Sequence, residues 1–102
     1  MTYSRKVIVD DERGRLVADF INGEVVLHLK NIRFSKESFD YYKSMFSRIL
    51  EGMKALGYSR VWGTPFADKP WAVSLVRSLG FKEIRRKNGV VLMRLDLGER
   101  HG

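Results

Sequence analysis

The stretch DKPWAVSLVRSLGF, residues 68–81, decides the fold. Pro70 suits the first turn of a helix, where its missing N–H is harmless and its φ is already preset. Behind it Ala72, Leu75, Val76 and Leu79 recur at helical spacing, Asp68 stands where a cap is wanted, and Gly80 offers a left-handed stop before Phe81. The spacing predicts a short, one-faced helix.

The preceding stretch YSRVWG (58–63) has strand chemistry, and a longer helix precedes it. Ser35 caps that helix, and Phe39, Tyr42, Phe46, Ile49, Leu50, Met53 and Leu56 form its apolar stripe until Gly57 ends it. Further upstream, KVIVD (6–10) and RLVADFI (15–21) flank the turn-forming DDERG, and Asn22-Gly23 links the second of these to EVVLHLK (24–30). A strand reached through a helix from another strand of the same sheet normally runs parallel to it, so the third and fourth strands are expected to be parallel neighbours. KEIRRK (82–87), Asn88-Gly89 and VVLMRLDL (90–97) make a final hairpin. The expected class is α+β, a mixed sheet in the order β-β-β-α-β-α-β-β, with an antiparallel meander and one parallel βαβ crossover. Residues 1–97 read as a single domain and 98–102 as a polar tail.

At 102 residues the chain can bury about 60–70% of its unfolded surface, enough for one core without staples. With no cysteine, disulfides and cysteine-based zinc sites are excluded, and a reducing, cytoplasmic setting is expected. No apolar run approaches the ~18 residues that cross a bilayer, so no membrane partner is expected. Nineteen Lys and Arg against twelve Asp and Glu give a formal charge of +7, which favours a polyanion, either a phosphorylated cofactor or a nucleic acid. The one dense basic run, Arg85-Arg86-Lys87, sits at a hairpin end where solvation is the ordinary fate. Neither a recognition helix nor a stacking pair of aromatics supports nucleic acid, which ranks last. Phosphate-binding glycine loops and paired metal-ligand spacings are both missing, and a hydroxyl–His–Asp set, which scattered residues of almost any chain this long would supply, carries no weight from the sequence.

The element order, joined to residues 68–81, resembles the carboxy-terminal two-thirds of the GNAT acetyltransferase superfamily. In that family this helix reads approximately D-N-x-x-A-x-x-L-Y-x-K-x-G-F, which Asp68, Ala72, Leu75, Gly80 and Phe81 match. The resemblance implies an acetyl-CoA-dependent transfer of acetyl to an amine. It also implies a cofactor held on the glycine-rich start of the long helix and along the splayed edge of the strand before it. Here that start is NIRFSKES (31–38), without glycine, so Lys30, Arg33 and Lys36 would meet the diphosphate by charge and Ser35 by its hydroxyl. The family's Asn on the cofactor arm corresponds to Lys69, and its thiolate-protonating Tyr to Val76, which has no proton to give.

For the base that relieves the amine of its proton, His28 is the first candidate, with Glu24 and Asp19 behind it. His28 alternates with Val26 and Lys30 on one strand face, opposite Val25, Leu27 and Leu29. Tyr41 lies off the helix stripe, and Trp71, at a helix start beside the expected cleft, stacks on adenine, buries in a protein interface or packs under the loop. Family members carry two further helices early in the chain, where only MTYSRK precedes the first strand here. An acceptor pocket would therefore come from a protein partner or from a second subunit of a homo-oligomer. The alternative reading is a non-catalytic GNAT-like assembly protein with an eroded cofactor site, similar to compact phage proteins of heads or virions and virion-associated if phage-encoded.

Overall fold

The computed structural model describes residues 2–12, 14–30 and 35–98. Arg33, Phe34 and the tail beyond residue 98 lie outside the described residues. The elements are β1 (Tyr3–Asp11), β2 (Gly14–Ile21), β3 (Glu24–Lys30), α1 (Lys36–Ala55), β4 (Arg60–Gly63), α2 (Pro70–Ser78), β5 (Lys82–Lys87) and β6 (Val90–Asp96). They form one six-stranded sheet in the order β1-β2-β3-β4-β6-β5, antiparallel except for the β3/β4 pair. The chain order of the elements and the parallel β3/β4 crossover are those expected from the sequence; the place of β6 between β4 and β5 is set by the fold.

Two-residue turns set the registers of two hairpins. Asn22 and Gly23 take φ of 50° and 83°, and Asn88 and Gly89 take 53° and 75°, the doubly left-handed turn that matches strand twist. Ile21 therefore faces Glu24, and every later pair of β2 and β3 follows in step to Arg15 opposite Lys30. Hairpin β1/β2 is less regular, with a bulge between Val7 and Val9.

Helix α1 opens on a capping box: Ser38 N donates to Ser35 Oγ at 3.1 Å and Ser35 N to Ser38 Oγ at 2.9 Å. It closes on Gly57, at φ 96°, whose N–H reaches Lys54 O while Tyr58 N–H reaches Met53 O, so the last carbonyls are satisfied. Tyr42, Phe46, Leu50 and Met53 are buried as the stripe requires, but Leu56 is 76% exposed. It is the C-cap residue, where the chain leaves the helical path before the stripe completes another turn. Helix α2 also differs from expectation at its start. Its N-cap is Lys69 rather than Asp68, with no side-chain cap hydrogen bond, and Pro70 alone sets the first turn.

The core lies between the two helices and one face of the sheet. Leu16, Ala18, Val25, Leu27, Val61, Val91 and Met93 supply the sheet side, and Tyr42, Phe46, Leu75 and Val76 the helix side. At Gly63 a Cβ would stand 3.3 Å from Val76 Cγ1 and 3.7 Å from Phe81 Cε2, so glycine lets α2 seat directly on β4. Strand β5 is exposed along its whole length, and its charges keep this sheet edge from pairing with another chain.

On the opposite face, Asp19 of β2 is a carboxylate whose side chain is only 6% exposed. Arg5 of β1 donates to it through Nε at 2.7 Å and Nη2 at 3.0 Å, Tyr3 Oη lies 3.2 Å away, and His28 of β3 reaches it at 2.9 Å. These partners replace lost water and tie three strands together. Hydrogen bonding to Arg5, helped by the charges of His28 and Arg5, holds the Asp19 carboxyl down at about 2, against 3.8 ordinarily.

Two tests follow from this packing. Gly63→Val should lower stability by about 1–3 kcal/mol through overpacking against Val76, read as a lower midpoint in urea. Because the folded-state pKa of Asp19 is depressed, its stabilisation is full above pH 4 and is lost as pH falls through the folded value near 2. The amount is about 2 kcal/mol. Urea titrations at successive pH values should therefore show a steeper acid loss in the wild type than in Asp19→Asn, and parallel curves would refute this role.

Candidate functional site

Strands β3 and β4 stay in parallel register for three pairs, Val25↔Val61, Val26↔Trp62 and Leu27↔Gly63. Beyond that point β3 continues beside β2 as far as Lys30, while the chain after Gly63 turns towards the β5–β6 hairpin. The cause is local. Pro65 has no N–H to extend a ladder, its carbonyl accepts from Val91 N at 2.9 Å, and Ala67 N donates to Gly89 O at 2.8 Å. Residues 65–67 are thus pulled to the far side, and the two parallel strands part.

The gap is a cavity of about 490 Å³. His28 and Lys30 reach it from one face of β3, Leu27 and Leu29 from the other, and Gly63, Thr64, Pro65 and Phe66 form the facing wall. Its floor is apolar, from Phe46 of α1, Ala72 and Val76 of α2, and Leu79 at the C-cap of α2. Among the described residues that line it, the charged ones are Lys30 and Lys69. An extended apolar slot with cationic rims and a free strand edge is suited to a long ligand that carries amides in its middle and anionic groups at one end.

Of the residues singled out in the sequence, His28, Lys30 and Lys69 come together at this cavity, and Trp71 lines it as well. Ser35 and Lys36 lie at the start of α1 and are not among the lining residues. The Ser35 hydroxyl accepts from Ser38 N and lies 3.0 Å from Ser38 Oγ, so the helix start holds it. Arg33 lies outside the described residues. Glu24 is drawn to Trp62 Nε1 at 3.4 Å and Arg60 at 3.9 Å, away from the gap. Val76 faces the cavity, as its place in the helix stripe requires.

His28 is one-quarter exposed, with both ring nitrogens engaged. Nε2 meets Asp19 Oδ2 at 2.9 Å, and Nδ1 meets Thr64 Oγ1 at 3.0 Å. No local signal in the sequence marks Thr64, because its position opposite His28 depends on the register of the parallel pair. The Asp19–His28 contact was legible in principle: the Asn22-Gly23 turn places Val17 opposite His28, so Asp19 is its diagonal neighbour on the same face.

No protein-family model matches the sequence, and no curated protein matches it. Solved structures do match. A chimera of the spermidine N-acetyltransferase SpeG from Vibrio cholerae superposes with a TM-score of 0.66 at 17% identity, over 91% of this chain and 66% of that one. The same enzyme in complex with CoA and spermine gives 0.61 at 18%, over 91% and 64%. An acetyltransferase from Bacillus subtilis in complex with CoA gives 0.54 at 14%, over 93% and 99%. The chain thus spans about two-thirds of the length of the spermidine enzymes. With element order, the lone parallel pair and these superpositions in agreement, the chain has the GNAT acetyltransferase fold.

Proposed function

We propose that the protein binds acetyl-CoA in the gap between β3 and β4 and transfers the acetyl group to an amine. The observation that carries this reading is the parting of the parallel strands after Leu27 and Gly63, which opens a slot with a free β3 edge. A pantetheine arm is an extended chain of amides and can pair with that edge as an added strand. Lys30 and Lys69 at the rim would meet phosphates, joined by Lys36 and Ser35 at the start of α1. The CoA complexes of two structural neighbours support a ligand of this kind. The amine acceptor is proposed on the same ground, since one neighbour holds spermine. A formal charge of +7 disfavours a polycation, so a neutral or anionic amine suits this chain better. The proposed setting is the cytoplasm, and no helix among the described residues is long and apolar enough to cross a membrane.

One observation favours a second reading, a non-catalytic assembly protein on the same frame. Val76 faces the cavity where a proton donor to the thiolate would stand, and it has no proton to donate. Positioned proton transfer is worth ~100- to 10,000-fold, so a slow enzyme and an abandoned site are both consistent with this position.

Calorimetric titration with acetyl-CoA separates the two. Micromolar binding is expected, weakened about tenfold or more by the double variant Lys30→Glu/Lys69→Glu. Titration should also change tryptophan fluorescence in the wild type and in Trp62→Phe but not in Trp71→Phe. No heat at millimolar acetyl-CoA would overturn the transferase reading and leave the assembly reading.

A further inference from the structure

Three side chains form a hydrogen-bonded line that cofactor binding does not use. A carboxylate can only accept, so His28 Nε2 carries the hydrogen and donates to Asp19 Oδ2 at 2.9 Å. In the neutral ring of that tautomer Nδ1 keeps a lone pair, and the Thr64 hydroxyl, 3.0 Å away, is placed to donate to it. Asp19 cannot drift from the ring, because Arg5 grips both of its oxygens. With both nitrogens occupied, His28 has no free position for the proton of an incoming amine. The group it is placed to deprotonate is Thr64.

His28 and Thr64 both line the cavity, beside the apolar floor where a short acyl group would rest. We propose that Thr64 Oγ1 is a nucleophile that accepts an acyl group from a thioester or activated ester and holds it as an ester, with His28 as base and Asp19 orienting the ring. In the first half, Thr64 Oγ1 bonds to the acyl carbonyl carbon and its proton passes to His28 Nδ1. The carbon–sulfur or carbon–oxygen bond of the donor breaks, and the departing group takes that proton. In the second half an amine or water attacks the ester carbonyl and gives a proton to His28. The carbon–Oγ1 bond breaks, and Thr64 recovers its hydrogen from His28. No electrons are gained or lost. The ring is turned relative to the serine proteases, with Nε2 on the carboxylate and Nδ1 on the hydroxyl, but each group keeps the role that defines such a set.

This activity shares the cavity of the proposed transferase but does not need CoA to bind, so p-nitrophenyl acetate is the probe. The full chain is incubated with it, nitrophenolate release is followed, and the acylated residue is located by peptide mass mapping. The expected result is one acetyl group on Thr64, with release slowed about 100-fold in Thr64→Val and in His28→Gln. Thr64→Ser, which retains a hydroxyl, should be acylated at the same position. Thermal melts of each variant distinguish lost chemistry from lost fold, and the serine variant keeps the test valid if the valine variant does not fold. Acetylation confined to lysines, or release by folded Thr64→Val at the wild-type rate, would overturn the proposal. Calorimetry run beside it separates the two readings. Acetyl-CoA binding without acylation at position 64 from either donor defeats the nucleophile and spares the transferase; acylation without cofactor binding does the reverse.

Discussion

A parallel contact of three residue pairs governs this molecule. Val25, Val26 and Leu27 hold Val61, Trp62 and Gly63, and there the ladder stops. On the β4 side it stops because Pro65 offers no donor and because the β5–β6 hairpin takes up the hydrogen bonds of residues 65 and 67. On the β3 side nothing stops, since β2 keeps pairing to Lys30. Two strands so anchored on opposite sides must diverge, and a long apolar slot through the sheet is the geometric result.

The slot joins two environments. Towards the helices it is floored by Phe46, Ala72, Val76 and Leu79, and an acyl chain placed there loses water without meeting a polar group. Towards the open face it meets His28 and Thr64, which are held from behind by Asp19 and Arg5. A buried carboxylate costs free energy unless fully partnered, and Asp19 is partnered from β1 and β3 at once. The network that stitches the meander together is therefore the one that fixes the imidazole at the gap. Fold and candidate chemistry share one set of hydrogen bonds.

Much of this was legible in the residues because local rules determined it. Asn-Gly turns set two hairpins, Gly57 and Gly80 end two helices, and the stripes of Tyr42, Phe46 and Leu50 and of Ala72, Leu75 and Val76 bury as spaced. Local signals erred at element ends, where the path of the chain rather than the pattern decides: at Leu56, at the cap of α2, at β1, which begins at Tyr3 rather than Lys6, and at β4, which begins at Arg60 rather than Tyr58. His28, Lys30 and Lys69 could be expected beside the cavity because each lies where strand or helix meets the parting of β3 and β4. Thr64 could not. Its partner is 36 residues away across a parallel pairing, and no turn fixes such a register. Likewise Pro65 reads as an ordinary breaker until the hydrogen bonds on its far side show that it directs the split.

Residue-resolved amide hydrogen exchange, with and without acetyl-CoA, tests the slot most directly. Binding should slow exchange along the β3 edge from His28 to Lys30 and leave Val25 to Leu27, already laddered to β4, unchanged. Acetyl-CoA that binds while exchange at His28 to Lys30 stays as fast as before would contradict the claim that the parted strands are the site.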